Sequence, residues 1–227
     1  MKIAIIGAME EEVKLISEML EEKEVKLING YTFEVGRLFD KDIILTVSSI
    51  GKVATGLLMG TLFSNFKNVD KVINVGIAGG VMGKVKPGDV VVSEKLCYSD
   101  ADAMGFGYEY GQIPGCPLYY YGDEEMISNI SVGVLKGLVL TADIFQTDKN
   151  CVEKIINDHF KGENVLAFDM ESTAFAQCAY KNNVGFLAIR AISDVIGCDN
   201  QFEKYEDDKE LAVVKARDAL VEIVKKL

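Results

Sequence analysis

Ile3-Ala4-Ile5-Ile6-Gly7-Ala8-Met9 is followed at once by three glutamates, Glu10 to Glu12, and this short passage already indicates the class of fold. The continuous apolar run from Ile3 to Ile6 predicts a strand buried on both faces, as in a parallel sheet covered by helices. After the glycine, apolar residues recur at spacings of three and four, which predicts a helix with one buried face. These residues are Val13, Ile16, Met19 and Leu20. A strand followed directly by an amphipathic helix is the repeating unit of an α/β fold.

The alternation of strand and helix continues along the chain. Short β-branched runs that end in glycine or polar turns predict strands at residues 43–47, 72–75, 90–93, 138–141, 165–168 and 186–192. Amphipathic stretches predict helices at residues 53–63, 124–130, 152–157, 173–181 and 208–226. We therefore predict an α/β fold in which residues 1–227 form a single domain. Its central sheet is expected to be mixed, mostly parallel and twisted, with helices on its flanks.

The composition supports a globular protein and excludes two kinds of partner. With 227 residues, of which 49% are hydrophobic and 26% charged, the chain is long enough to bury a full core. Its 24 Lys and Arg against 35 Asp and Glu give a net charge of −11, which would repel a phosphate backbone. No apolar run approaches the roughly 20 residues that cross a bilayer. We expect neither a nucleic-acid partner nor a membrane.

Cysteine and histidine usage narrows the chemistry. The five cysteines are widely spaced and include no C-x-x-C pair, which fits neither a disulfide framework nor a zinc site, so we interpret them as reduced thiols. The apolar start runs directly into acidic residues and does not resemble a signal peptide, so we expect a cytoplasmic protein. His159 is the only histidine, and its polar neighbours predict a surface position. Acid–base chemistry would then belong to carboxylates, and we expect no metal or organic cofactor.

The residues that follow each strand are the candidate site, because ligands of parallel α/β sheets bind at the carboxyl ends of the strands. Glu10 to Glu12 follow the first strand, although acidic residues at a helix start are also favoured by the helix dipole. The glycine-rich segment 76–80 matches neither G-x-G-x-x-G nor a Walker A sequence. It fits either a tight turn or a close approach to a bound molecule.

Two later strands also end in charged residues. The segment Phe168-Asp169-Met170-Glu171 ends one of these strands. A carboxylate in this segment could accept two hydrogen bonds from the vicinal diol of a ribose, or it could be a solvated acid at a helix start. Arg190 lies inside an apolar run and needs a carboxylate partner, for which Glu171 is a candidate. Asp194 ends the same strand, where burial would raise its pKa and let it donate a proton. Acids at several strand ends together indicate a site.

At this point the motifs, in order along nearly the whole chain, closely resemble those of the bacterial 5′-methylthioadenosine/S-adenosylhomocysteine nucleosidases. Several are shared with the wider purine nucleoside phosphorylase superfamily, but the Glu12 segment and residues 106–117 point to the nucleosidase branch. The matching segments are IIGAMEEE at 5–12, SIGKVA at 49–54, AGG at 78–80, FGYEYGQ at 106–112, ME at 170–171 and RAISD at 190–194.

The resemblance implies a nucleoside phosphorylase-like fold and hydrolysis of the N-glycosidic bond of 5′-thio-substituted adenosines. Cleavage develops positive charge on the ribose and negative charge on adenine, so it needs an acid for the purine and a base for water. By similarity, Asp194 protonates adenine N7 and Glu12 activates the water. Glu171 would hold the 2′- and 3′-hydroxyls, with Arg190 orienting it, and Met170 would lie under the sugar.

The remaining binding residues are also implied by the resemblance. Adenine would stack on Phe145 and bond to main-chain groups of Gln146, while Ser193 places Asp194; Gly79 lies in the glycine segment of the site. The apolar pocket for the 5′ substituent matches Ile50, Phe106, Tyr108, Pro114 and Tyr205. In the family a second subunit supplies part of that pocket, which would explain the long irregular segment at 98–121. The implied assembly is a homodimer with a shared site.

The chain departs from the family at a few positions. Ile77 stands where relatives often have a hydroxyl residue, and Gln146 replaces an aliphatic residue. Residues 197–205, which match a lid over the site, align loosely, so that Phe202 could take the aromatic role of Tyr205. These departures concern rate and substrate range more than the class of reaction.

Two other functions stay open. A phosphate-dependent phosphorylase of the same fold would need a cationic pocket, yet the chain has only Arg37, Arg190 and Arg217 as arginines, which favours water. A non-catalytic protein that binds adenine nucleosides would not need Glu12, Glu171 and Asp194 together. The sequence does not rank methylthioadenosine, S-adenosylhomocysteine, 5′-deoxyadenosine and aminofutalosine as substrates.

Overall fold

A computed structural model of the protein describes residues 1–130 and 133–227. Its strands are β1 (Lys2–Gly7), β2 (Glu21–Ile28), β3 (Tyr31–Leu38), β4 (Lys41–Val47), β5 (Lys71–Gly80), β6 (Val90–Tyr98), β7 (Tyr120–Tyr121), β8 (Leu135–Thr141), β9 (Val165–Asp169) and β10 (Gly185–Val195). Its helices are α1 (Glu10–Ser17), α2 (Lys52–Asn65), α3 (Glu124–Ser128), α4 (Lys149–His159), α5 (Ser172–Lys181) and α6 (Gln201–Lys226). Within the described ranges, none of these helices combines the length and apolar character that a membrane crossing requires.

The strands form one mixed sheet in the order β10-β6-β8-β9-β5-β1-β4-β3-β2, with β7 paired to β6. At its centre β1 is parallel to both β4 and β5, and β5 is also parallel to β10. Because β10 pairs with both β5 and β6, the strands β5, β9, β8, β6 and β10 close on themselves. The antiparallel strands β3 and β2 extend the other side of the sheet. The predicted α/β class with a mixed sheet flanked by helices is confirmed.

The pleat of β1 divides the core between the two faces of the sheet. Ile3 and Ile5 join one apolar cluster with buried residues of α1 and α6. Ala4 and Ile6 join another with buried residues of α2 and α5. Side chains that alternate along a strand point to opposite faces, and all four of these are completely buried. The apolar run therefore forms a strand covered on both sides, as predicted.

Every strand and helix predicted from the sequence is present, and most are longer than predicted. The largest difference is that α6 begins at Gln201 rather than at Asp208, and β5 and β6 each extend five residues beyond the predicted end. Two helices are shorter than predicted: α3 ends at Ser128 rather than at residue 130, and α1 ends at Ser17, before Met19 and Leu20. Those two residues still pack against the apolar cluster next to α1. The segment 98–121 is largely irregular between β6 and β7, as predicted, apart from a 3-10 turn at Met104–Phe106.

The strands β2, β3 and β7 were not predicted. β2 has the sequence EEKEVKLI and is mostly exposed, so it lacks the apolar run that identifies buried strands. A signal was nevertheless present in Asn29-Gly30, which joins Ile28 to its pairing partner Tyr31 with φ angles of 51° and 84°. Positive φ at both central residues defines the tight hairpin turn that Asn-Gly favours.

Candidate active site

A cleft that is open to solvent at its mouth lies where β1, β5, β9 and β10 end. Most of the predicted site residues line it. These are Glu12, Ile50, Gly79, Phe145, Gln146, Met170, Glu171, Ser193, Asp194 and Tyr205. Other predicted residues lie elsewhere: Arg190 lies behind the cleft wall, and Phe106, Tyr108 and Pro114 do not line the cleft of this chain.

The first turn of α1 carries Glu12 into the cleft. Its Oε2 accepts hydrogen bonds from the backbone N–H groups of Ala8, at 2.7 Å, and Met9, at 3.0 Å. Its Oε1 accepts one from Ile77 N–H on β5, at 3.1 Å. Burial raises the pKa of Glu12, against the lowering effects of Arg190 and of these N–H donors. The result is a fixed carboxylate that is more basic than an exposed one.

The glycine segment of β5 approaches Glu12 closely. A Cβ on Gly76 would collide with the Glu12 carboxylate. Gly79 is paired with Asp194 of β10 and with Phe168 of β9, so it lies where three strands meet. The tight turn that the sequence allowed is wrong, because residues 76–80 lie within β5 and none of their glycines has a positive φ. The close approach at Gly76 is to Glu12 of the same chain, and an approach to a bound molecule stays a prediction.

Asp194 reaches the cleft through an irregularity in β10. The register with β5 shifts between Ile192 and Asp194, the kind of bulge that re-aims side chains next to active sites. Ser193 Oγ donates a hydrogen bond to Asp194 Oδ1, and Gln201 Nε2 donates one to Oδ2, both at 2.7 Å. Burial raises the pKa of Asp194, while these two hydrogen bonds lower it. Asp194 can thus hold a proton at a higher pH than an exposed aspartate.

Arg190 pairs with Asp169, so the prediction that Glu171 is its partner is wrong. The Nε of Arg190 donates to Asp169 Oδ2 at 2.8 Å, and Arg190 also bonds to the side chain of Asn74. Asp169 is the last residue of β9, and its side chain faces the interior beside β10. Glu171 lies beyond the strand, in the turn before α5, and is directed elsewhere. Asp169 and Glu171 are separated by one residue, and only the turn between them decides which carboxylate meets the guanidinium.

Asp169 organises this turn. It accepts hydrogen bonds from Thr141 Oγ1 at 2.6 Å, from the backbone N–H of Glu171 at 3.3 Å and from Ser172 N–H and Oγ. These donors and Arg190 surround the carboxylate of Asp169, whereas Glu171 lines the cleft. Glu171 accepts one hydrogen bond, from Gly51 N–H at 2.8 Å. Burial, followed by the nearby charge of Asp169, raises the pKa of Glu171 to about 7.

An aromatic wall forms one side of the cleft. The rings of Phe145 and Tyr205 meet edge to face, with centroids 5.7 Å apart and an interplanar angle of 87°. Tyr205 lines the cleft, whereas Phe202 is 68% exposed and does not. Phe106, which is 88% exposed, lies in the irregular segment between β6 and β7. The aromatic role in closing the site stays a prediction, for which Tyr205 is the residue placed at the cleft.

His159 lies away from the cleft. Its ring is half-buried and stacks on Tyr110, with 3.8 Å between centroids, so the predicted surface position holds only in part. Over the ranges 1–130 and 133–227, no group of three or more His, Cys, Asp or Glu side chains is placed to hold a metal ion.

Sequence reasoning missed three residues at the site: Asn74, Asp169 as the arginine partner, and Gln201. Asn74 interrupts the apolar run of β5, and a polar residue inside a buried strand is a signal that could have been used. Gln201 gave no signal, because its contact with Asp194 depends on how α6 packs over the sheet.

Comparison with known proteins identifies relatives over the full length. The model of the Phosphorylase superfamily matches residues 2–226. A 5′-methylthioadenosine/S-adenosylhomocysteine nucleosidase of Bacillus cytotoxicus is 36% identical over 237 aligned residues, which cover 100% of both chains. The structure of such a nucleosidase from S. pneumoniae with the transition-state inhibitor MT-ImmA has a TM-score of 0.93 and 33% identity, covering 100% of this chain and 99% of that one.

A further structural relative is the nucleosidase of Colwellia psychrerythraea in complex with adenine. It has a TM-score of 0.92 and 33% identity, and the match covers 100% of this chain and 96% of that one. Fold, cleft and full-length identity agree. The chain belongs to the Phosphorylase superfamily and, within it, to the 5′-methylthioadenosine/S-adenosylhomocysteine nucleosidases, a family of N-glycosidic hydrolases.

Proposed function

We propose that the protein hydrolyses the N-glycosidic bond of 5′-methylthioadenosine and S-adenosylhomocysteine, releasing adenine and the 5′-thioribose; 5′-deoxyadenosine is a further candidate substrate. The observation that carries this proposal is the arrangement of Glu12, Glu171 and Asp194 around one cleft, where burial raises the pKa of each. Relatives with the same fold bind adenine and a transition-state inhibitor. We further propose that residues 1–227 act as one nucleosidase domain.

Asp194 is the general acid of the proposed reaction. The leaving adenine gains negative charge at N7 as the glycosidic bond breaks, and a proton delivered there makes it a better leaving group. Burial raises the pKa of Asp194, so its carboxyl keeps a proton to a higher pH than an exposed aspartate does. Ser193 is a positioning residue that fixes the carboxyl through Oδ1.

Glu12 is the general base. Its three backbone donors fix the carboxylate, so it can orient a water molecule without first reorganising. As the water attacks the anomeric carbon, Glu12 accepts its proton, and burial makes the carboxylate a stronger base for this step. The hydroxyl adds to the sugar while the bond electrons leave with the adenine.

Glu171 is proposed to bind the ribose diol, and Met170 to contact the sugar ring. The ionised Glu171 carboxylate can accept two hydrogen bonds from adjacent hydroxyls, which are strengthened by its charge. Arg190 does not contact Glu171 through an ion pair; it positions it indirectly, by holding Asp169 at the base of the same turn. Adenine would stack on Phe145 and bond to the main chain of Gln146.

We also propose a homodimer whose second subunit completes the 5′ pocket with Phe106, Tyr108 and Pro114. In support, α2 begins next to the cleft residue Ile50, and the exposed face of that helix carries Val53 and Leu57, which are 74% and 61% exposed. Leu57→Asp should yield a monomer by light scattering, with KM for methylthioadenosine raised. Leu211→Asp, at an exposed apolar position on α6, is the control and should stay dimeric.

Water rather than phosphate is the proposed nucleophile. Among the described residues that line the cleft, none is Lys or Arg, and Arg190 behind them is already paired. A phosphate dianion would need such cations.

The free cysteines are consistent with the reducing cytoplasm that we propose as the location.

The test follows adenine release from 5′-methylthioadenosine in phosphate-free buffer and again with phosphate added. Release without phosphate is expected; release only with phosphate would assign the protein to the phosphorylases. Asp194→Asn should lose turnover by about 10²–10⁴-fold and keep adenine binding. Asp199→Asn, an exposed aspartate in the following loop, should behave as wild type. No release in either buffer with ligand still bound would instead favour a binding protein.

A further inference from the structure

Gln201, the first residue of α6, makes an unusual set of contacts beside the cleft. Its Nε2 donates to Asp194 Oδ2 at 2.7 Å and also to the main-chain carbonyl of Gln146 at 2.9 Å. Its Oε1 accepts a hydrogen bond from Gly197 N–H at 2.8 Å. The side chain is buried, and all parts of its carboxamide have partners. One nitrogen atom therefore bridges two acceptors that belong to cleft-lining residues.

The chemistry of these acceptors defines what can bind between them. A carboxylate oxygen and a main-chain carbonyl both accept, so the point between them suits a planar –NH₂ group whose two N–H bonds diverge. The exocyclic amine of adenine is such a group, and so is the carboxamide of Gln201. Each acceptor lies within hydrogen-bond distance of the same nitrogen, so two donors cannot occupy that point together.

We propose that the carboxamide of Gln201 holds the place of the exocyclic amine of adenine, so that the base binds fully only after Gln201 withdraws. This inference rests on the proposed function, because it takes the ligand to be a 6-aminopurine held by Asp194 and Gln146. Gln201 then competes with the base as an internal ligand. Adenine binds only the molecules in which Gln201 has left the site, so the apparent Kd is the intrinsic Kd divided by the fraction of such molecules.

The backbone around Gln201 allows this withdrawal. Only residues 195–200 separate Gln201 from Asp194, and Gly197 and Asn200 both have positive φ, 74° and 56°. Asn200 is the N-cap of α6 but makes no side-chain capping bond, so the first turn is not fixed from that side. The β10 pairing with β5 ends at Val195, so withdrawal of the Gln201 side chain breaks none of its pairs.

The experiment measures adenine binding by calorimetry to wild type, Gln201→Ala and Gln201→Met. The methionine variant keeps the length of the side chain and removes its donors, so it remains informative if the alanine variant folds poorly. Both variants are expected to bind adenine about 3- to 30-fold more tightly, the effect of losing one or two competing neutral hydrogen bonds. Glu203→Ala, an exposed residue in the same helical turn, should bind adenine as wild type does.

Binding kinetics supply a readout that a merely structural role would not change. If Gln201 must leave first, the observed rate of adenine binding to wild type should reach a plateau as the adenine concentration increases. In both variants the rate should rise without that plateau.

Unchanged or weaker adenine binding in both variants would overturn the inference, since Gln201 would then support the pocket or contact the bound base. If wild type hydrolyses methylthioadenosine yet the variants gain no affinity, only this inference fails. Wild type that neither binds adenine nor hydrolyses the nucleoside removes the proposed function as well.

Discussion

Arg190 and Asp169 form a buried ion pair behind the cleft, with 2.8 Å between Nε and Oδ2 and 2% of each side chain exposed. Asp169 in turn holds the backbone of Glu171 and both donors of Ser172. The pair therefore supports the turn from which Glu171 reaches the cleft. A buried pair of this kind contributes little when intact, but removing one partner leaves the other charge without compensation.

Arg190→Met should destabilise the protein by about 3–5 kcal/mol, because Asp169 keeps its buried position and loses its cation. Chemical denaturation measures this free energy of unfolding. Arg217→Met provides the comparison, since Arg217 pairs with Asp218 at the surface and its loss should cost less than about 1 kcal/mol. Equal effects of the two substitutions would contradict the structural role given to Arg190.

Glu12→Gln should reduce kcat for methylthioadenosine by about 10²–10⁴-fold, the usual contribution of a general base. A glutamine cannot take the proton of water, and its NH₂ group would face backbone N–H groups that now donate to a carboxylate. Steady-state kinetics test this. Glu10→Gln changes an exposed glutamate in the same helical turn and should leave kcat within a factor of two or so of wild type. A similar loss in both variants would show that the helix start, and not Glu12, is responsible.

Gly76→Ala should abolish most of the hydrolysis while sparing adenine binding. The added Cβ would collide with the Glu12 carboxylate and displace it, and a displacement of about 1 Å can cost about 10²-fold in rate. The three atoms nearest to this Cβ belong to Glu12 and, at 3.2 Å, to Arg190, and none belongs to Asp194 or Gln146, which are proposed to hold the base. Measuring kcat together with the Kd for adenine separates the two effects; a parallel loss of both would indicate general damage to the pocket.

Much of the fold could be predicted because the central strands are short apolar runs that end in glycine or charged residues. The edge strand β2 could not, since its first four residues are all Glu or Lys and the strand is held by pairing with β3. The same contrast applies to the site. Glu12 lies in the helix that follows β1, and Asp194 lies at the end of β10, so the position of each next to a strand end could be predicted. Ten of the predicted residues line the cleft.

The parts of the site that escaped prediction depend on three-dimensional packing. Whether Arg190 pairs with Asp169 or with Glu171 is decided by the direction of one turn after β9, and both carboxylates lie within reach along the sequence. Gln201 meets Asp194 only because the first turn of α6 folds back over the end of β10. Neither contact leaves a periodic trace in the sequence, since each depends on long-range geometry.

The titration of Glu171 should be visible in the stability of the protein. Burial and the charge of Asp169 raise the pKa of Glu171 to about 7 in the folded state, whereas its unfolded value is near 4.5. The folded protein then binds the proton more tightly than the unfolded chain, so the contribution of Glu171 to stability is fully present below pH ~4.5 and is lost as the pH rises through about 7. Glu171→Gln has no such proton to lose.

We therefore expect the free energy of unfolding of wild type to fall more steeply between pH 5 and pH 8 than that of Glu171→Gln, with urea denaturation at several pH values as the measurement. Asp194 also has a raised pKa, but it is present in both proteins and its contribution cancels in the difference. The charge of Glu12 is one of the causes that raise the pKa of Glu171, so the difference also contains the interaction between these two carboxyl groups. Glu10→Gln should follow the wild-type curve, because that side chain is exposed. Parallel curves for wild type and Glu171→Gln would mean that Glu171 is ionised throughout this range, and the diol would then meet a permanent carboxylate rather than one that titrates near neutral pH.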